Sequence, residues 1–327
     1  MNLDSYRLRA ISQIEARPYP PDFANSILAE SRVLLLPLVN IVESESPGHM
    51  AGHNKIKEMD VLTSGINTIG DRLNIHGHDL QILKIILGTH DTGRISEYIQ
   101  RRDTLASGQR HGILSAQFLE ENHLLDLLTP EDQYCVLFAA TYHSEKEVPS
   151  PSPDDPEFVK KAYNYCYILR DLDKLHLFFE FDKYHRAEGV LGQLTSLHLL
   201  PQNALSEKPA ILDFLKKILS SEQTANLDLD QLNNFMTGPV NPNIIAAIRQ
   251  HQSANLADIK TSWSSYLAMR LAMLFDVQHP TFINEAIKRR SEFIDPSLEY
   301  ISRFDTASAN QIKDHLHQVF GTEFLLK

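Results

Sequence analysis

Cysteine is scarce in this chain: only Cys135 and Cys166 occur, both among apolar or aromatic neighbours. That argues against a disulfide framework and for reduced core thiols, and neither residue has a sequence neighbour that would activate a thiolate. Long apolar runs are lacking too. The most apolar window, Val33 to Val42, holds Pro37 and falls far short of the ~20 residues a membrane span needs. It reads as one core helix or two. The stretch "MNLDSYRLRAISQIEARPYPPDF" has no apolar segment of the signal-peptide kind. The expected compartment is the cytoplasm, with no membrane partner. Basic excess is missing as well. A net charge of −11 disfavours long nucleic acid, whose phosphate backbone demands basic surface. A small anion held in a local cationic or metal pocket stays compatible with it. There is no glycine-rich phosphate loop, internal repeat or low-complexity tract.

What is present is a soluble, globular composition, 43% hydrophobic and 22% charged over 327 residues. A chain of that length buries a substantial core without staples. Apolar residues recur at spacings of three and four, as in Leu80, Leu83 and Leu87, or Leu267, Leu271 and Leu274, while the alternation of strands is scarce. Even the β-branched stretch Val61 to Ile69 spaces Leu62, Ile66 and Ile69 like a helix face. The expected fold is all-α. Residues 1–45 read as N-terminal helices packing on the core, 46–185 as the block holding most of the unusual polar residues, and 186–327 as a C-terminal helical extension, taken to pack on that block. Prolines 149, 151, 153 and 156 make "EKEVPSPSPDDPEF" a loop. Further breaks fall at "LLPQN", "TGPVNPN" and "QHPTF".

Fifteen histidines are many, and most must be incidental. Five sites stand out in order: His53 after "SPGHMAG", His90-Asp91 in "KIILGTHDTGR", His111 in "SGQRHGILSAQFL", His143 in "VLFAATYHS" and Asp173 in "ILRDLDKLHLF". Most begin or end an apolar helix. Imidazole nitrogens and carboxylate oxygens together suit borderline metals, and such residues on separate helices of a bundle can converge on one core site. Adjacent helical residues diverge by roughly 100°, so His90 and Asp91 share a site most easily where the helix is ending. Gly93 is expected to stop it in the left-handed conformation. His49 competes with His53, and Asp171 with Asp173. The other pair, His78-Asp79, reads as a loop and helix N-cap. Lys55, Arg94, Arg101, Arg102 and Arg110 are candidate phosphate contacts.

The order His, His-Asp, His, His, Asp resembles the HD superfamily of metal-dependent phosphohydrolases. "LGTHDTGR" is similar to that family's apolar-HD-x-G-K segment, "RHGILSAQFL" to its H-G-x-x-G-A helix, "AATYHSE" to its later Y-H, and "LRDLDKLHL" to its A-D-K-L. The resemblance covers about residues 46–185. It implies an HD-type helical bundle with additional N- and C-terminal helices. It further implies that His53, His90, Asp91 and Asp173 ligate one metal, with Asp91 bridging to a second held by His111 and His143. One or two divalent ions are thus expected, manganese or iron first, with magnesium, cobalt, nickel or zinc as alternatives. Arg94 replaces the family's lysine, and the Gly-Tyr-Pro signature of the cyclic dinucleotide branch is absent after His143.

The implied activity is hydrolysis of a phosphoester or phosphoanhydride in a nucleotide or related small phosphate compound, with Asp91 and Arg94 at the reacting centre. Two rivals carry the same residues, a mixed-valent di-iron oxygenase of the HD type and a non-catalytic nucleotide sensor. A homo-oligomeric state is left open. The prolyl loop after His143 is either a wall of the pocket or an inert surface loop.

Overall fold

The computed structural model describes residues 3–12, 19–20, 22–45, 53–101, 111–145, 147–186, 234–250, 258 and 261–321, with backbone alone at 12, 53–54, 100–101, 176–186 and 292. The fold is all-α, and no strand occurs among these residues. In chain order the helices are α1 (Leu3–Ser12), α2 (Phe23–Glu45), α3 (His53–Ser64), α4 (Ile66–Leu73), α5 (Gly77–Thr89), α6 (Thr92–Arg101), α7 (His111–Glu121), α8 (Pro130–Tyr142) and α9 (Glu157–Arg186). After 187–233 follow α10 (Pro242–Arg249), α11 (Trp263–Ala272), α12 (Pro280–Lys288), α13 (Arg290–Phe304) and α14 (Thr306–Phe320). The chain divides into two compact units, Met1–Leu172 and Asp173–Lys327. The division falls inside α9.

In the first unit α5 and α8 form the centre. Ile82, Leu83, Ile85, Ile86 and Leu87 of α5 are buried, as is the run Tyr134 to Thr141 of α8. Each large side chain removed from water contributes about 1.5–3 kcal/mol, so both helices are held on nearly all sides. Helices α2, α3, α4 and α8 surround α5, and α7 closes the ring by packing on α6 and α8. In α9, Val159, Ala162, Cys166 and Leu169 are buried at spacings of three and four, one stripe of an amphipathic helix. Cys135 and Cys166 are free and buried, and burial raises the Cys166 thiol to about 12. They are core thiols, as their neighbours in sequence implied.

Pro37 does not divide the apolar run. It lies on the exposed side of α2, a single helix of 23 residues whose buried stripe runs Phe23, Ala24, Ile27, Ser31, Leu35, Val39 and Val42. By length and composition alone this helix is long and apolar enough to cross a membrane, a test that a core helix also passes. The stretch around Leu62, Ile66 and Ile69 is helical but broken at Gly65 between α3 and α4. The prolyl segment after His143 is irregular, and Arg7 of α1 pairs with its Asp155.

Two prolines in segments read as breaks, Pro242 and Pro280, turn out to be helix starts, and so does Pro130. Pro130, Pro242 and Pro280 each occupy the first turn behind a capping side chain, from Thr129, Asn241 and His279 respectively. A missing N–H costs nothing there, since that group has no intrahelical partner. In the second unit, α11 buries Trp263, Leu267, Ala268 and Leu271 and packs against α10 and α13, while α14 packs against α10 and α13.

Candidate metal centre

The α5 helix does not stop at a left-handed glycine. His90 keeps right-handed backbone and its N–H donates to the Ile86 carbonyl. Asp91 makes a single turn, and α6 restarts at Thr92 with the Arg94 N–H on the Asp91 carbonyl at 3.1 Å. Gly93 is helical; among the described residues only Gly77 and Gly321 are glycines with positive φ. Its role is close approach. A Cβ at Gly93 would lie 2.1 Å from the His111 carbonyl oxygen and 2.4 Å from the Ser115 nitrogen, while one at Gly112 would lie 2.6 Å from the Thr141 oxygen. These two glycines let α6, α7 and the end of α8 meet, and that meeting brings His111 and His143 to Asp91.

The carboxylate of Asp91, 1% exposed, is the hub. His111 and His143 place Nε2 at 3.3 and 3.2 Å from its Oδ1, and their own Nε2 atoms are 3.1 Å apart. On the other oxygen, Oδ2, stand His90 Nε2 at 3.5 Å, Arg94 Nε at 3.2 Å and the Lys55 ammonium. Lys55 also pairs with Glu58 at 2.7 Å. Burial by itself would raise the Asp91 pKa. The opposing charge of Lys55 above all, then Arg94, His90 and His111, outweighs this and holds the carboxyl well below its usual range. Burial drives His111 down to about 2, Asp91 opposing and Arg94, His143 and Lys55 assisting, so its ring is neutral near pH 7.

Hydrogen bonds away from the hub decide what the imidazoles present to it. His143 Nδ1 donates to the Ala140 carbonyl at 2.7 Å and His90 Nδ1 to that of Leu87 at 3.0 Å. Carbonyls only accept, so in the neutral rings both Nε2 atoms carry a lone pair aimed at an ionised carboxylate. His111, whose Nδ1 is buried without a hydrogen-bond partner, has one proton to place among these acceptors. A divalent cation would meet the lone pairs of His90, Asp91 and His143, and backbone carbonyls orienting imidazoles in this way are the usual support of a metal ligand. His90, Asp91 and His143 have donor atoms within 4.8 Å of one another. This buried His/Asp group suits a metal ion.

Of the residues singled out in the sequence, His90, Asp91, His111, His143 and Arg94 come together. His53 begins α3, but its side chain lies outside the described residues, as do His49, Arg102, Arg110 and the Arg101 side chain. Asp171 is buried in the first unit and the half-buried Asp173 opens the second. Lys55 differs from the expectation: at 5% exposure its ammonium is committed to the buried carboxylates and does not face solvent as a phosphate contact would. Glu58 was missed. Its oxygen lies within 4.8 Å of an Asp91 oxygen, and the only hint in the sequence was its i,i+3 spacing from Lys55. Arg170 donates to the Tyr142 and His143 carbonyls, bracing the end of α8 directly behind His143.

The pair His78-Asp79 has structural partners throughout. Asp79 lies in the first turn of α5, with His76 and not Asp79 as the N-cap, and pairs with Lys161 at 2.9 Å. His78 contacts Asp132 at 3.0 Å and its ring lies 4.7 Å from that of Tyr19. Compared with protein-family models, curated proteins and solved structures, the chain matches none.

Proposed function

We propose that this chain is a metal-dependent phosphohydrolase of the HD type, cleaving a phosphoester or phosphoanhydride bond in a nucleotide or related small phosphate compound. The observation that carries the reading is the convergence of His90, His111 and His143 on the ionised, buried Asp91, in the order that resembles the HD superfamily. His90, Asp91, His111 and His143 would hold the ion. The resemblance adds His53 and Asp173 to the set. A bound divalent ion lowers the pKa of a coordinated water toward neutrality and takes up charge developing on a phosphoryl oxygen.

The chain's own residues do the rest. Carbonyls of Leu87 and Ala140 fix the orientation of His90 and His143, so the ligand atoms need no rearrangement when the ion enters. Arg94, with its side chain 31% exposed and its Nε on Asp91, reaches from the buried carboxylate toward solvent. Its planar guanidinium is of the kind that makes paired contacts with phosphoryl oxygens.

The test is metal analysis of the purified protein, together with a screen of phosphorylated compounds in added manganese, repeated on Asp91→Ala. The wild type is expected to hold metal and hydrolyse at least one compound, and the variant to lose both. Full metal content and full activity in Asp91→Ala would falsify the assignment.

A further inference from the structure

Helix α3 faces the core through Lys55, Glu58, Met59 and Leu62, a stripe at helical spacing whose members are all buried. Such a stripe is normally apolar throughout, so Lys55 and Glu58 stand out. The lysine has its reasons in view, for its ammonium contacts Oδ2 of Asp91 and, at 2.7 Å, Oε2 of Glu58. Glu58 is explained only by half. Its side chain is 5% exposed, yet Oε1 is buried with no hydrogen-bond partner among the described residues. A carboxylate oxygen taken from water and given no donor is unfavourable. An oxygen of Glu58 also lies within 4.8 Å of one of Asp91, and two buried carboxylates that close repel each other.

We propose that Glu58 is a further ligand of the metal centre, through Oε1, a residue outside the set that the resemblance implies. The inference rests on the metal centre of the preceding subsection and bears on which ion it prefers. Lys55 touches both carboxylates and so holds Glu58 toward Asp91. Oε2 stays on the ammonium, and the carboxyl group stands between that charge and the ion. A divalent ion beside both acids relieves their repulsion and gives Oε1 the partner it needs. The consequence is selectivity. Imidazole nitrogens suit zinc, whereas carboxylate oxygens suit manganese and magnesium. A second carboxylate among the histidines therefore shifts the preference toward Mn2+, and Glu58 is a specificity-determining residue for the metal.

The full chain, stripped with chelator, is titrated by calorimetry with Mn2+ and separately with Zn2+, and the metal-free protein is melted alongside. Glu58→Gln is similar in size, keeps a carbonyl oxygen for Lys55 and lacks the second donor oxygen. It is expected to bind Mn2+ at least about tenfold more weakly than wild type, to lose less for Zn2+, and to melt, without metal, no lower than wild type. Should Glu58→Gln fail to fold, Glu58→Asp, which keeps the charge but draws the oxygens back by one methylene, is expected to show the same order of losses. Unchanged Mn2+ affinity in the variant overturns the proposal and leaves Glu58 as a counter-ion of Lys55. An equal fall for both metals also overturns it, since a merely structural residue would act on the two alike. No metal bound by wild type overturns the metal centre itself, a result distinct from either of those.

Discussion

At the residue scale, the centre's character comes from protons that are absent. His143 and His90 spend their Nδ1 protons on backbone carbonyls, and burial keeps His111 neutral. This neutrality has a consequence for stability. In the unfolded chain His111 takes up a proton below about pH 6.5, while in the folded chain it does so only near pH 2. The unfolded state therefore binds more protons across that window, and stability contributed by the neutral ring is full above pH 6.5 and lost as pH falls. Between pH 7 and pH 5 the metal-free protein is expected to lose about 2 kcal/mol through this one group. In His111→Leu that part of the loss disappears, as read from urea midpoints at the two pH values. Equal losses in both proteins would show that His111 is protonated in the fold. The histidines and Asp91 could be picked out from their order along the chain. Glu58 could not, because an acid three residues after a lysine on a helix is an ordinary surface pattern.

At the element scale, spacing predicted helices and the structure has them, yet two punctuation residues act otherwise than local rules suggest. Pro37 sits within α2, and Gly93 sits within α6 and not at a stop. Glycine's lack of a side chain serves two separate purposes, backbone freedom and close packing, and sequence does not tell which applies. The distinction is testable. Gly93→Ala drives a Cβ into the backbone of α7, so a cost of roughly 1–3 kcal/mol is expected from overpacking, with loss of bound Mn2+ as His111 is pushed from Asp91. Gly77→Ala meets nothing within 4 Å but has φ of +57°. It should cost about 1–2 kcal/mol through backbone strain and leave metal binding intact. Thermal unfolding and metal content on the two variants check both halves. Similar metal loss in each would mean that Gly93 is not a packing glycine.

At the scale of the whole molecule, the candidate centre belongs to the first of two compact units, so a metal ion should act on that unit's stability. At a concentration 100-fold above its Kd, an ion that binds only the folded state adds about 2.7 kcal/mol. Hydrogen exchange with and without Mn2+ is expected to show added protection in α5 to α8 and none in α11 to α14. Protection confined to α11 to α14 would place the site elsewhere. The sequence by itself determined the all-α class, the reduced thiols and the order of the metal-type residues. These depend on composition and on the 3.6-residue period, which is local and leaves a mark in every turn. Only the tertiary structure decided that His111 and His143 share one oxygen of Asp91 while Lys55 takes the other, and that Glu58 joins them. Those relations depend on how closely α3, α5, α7 and α8 approach, and close approach is set by packing between segments far apart in the chain, which no local period records.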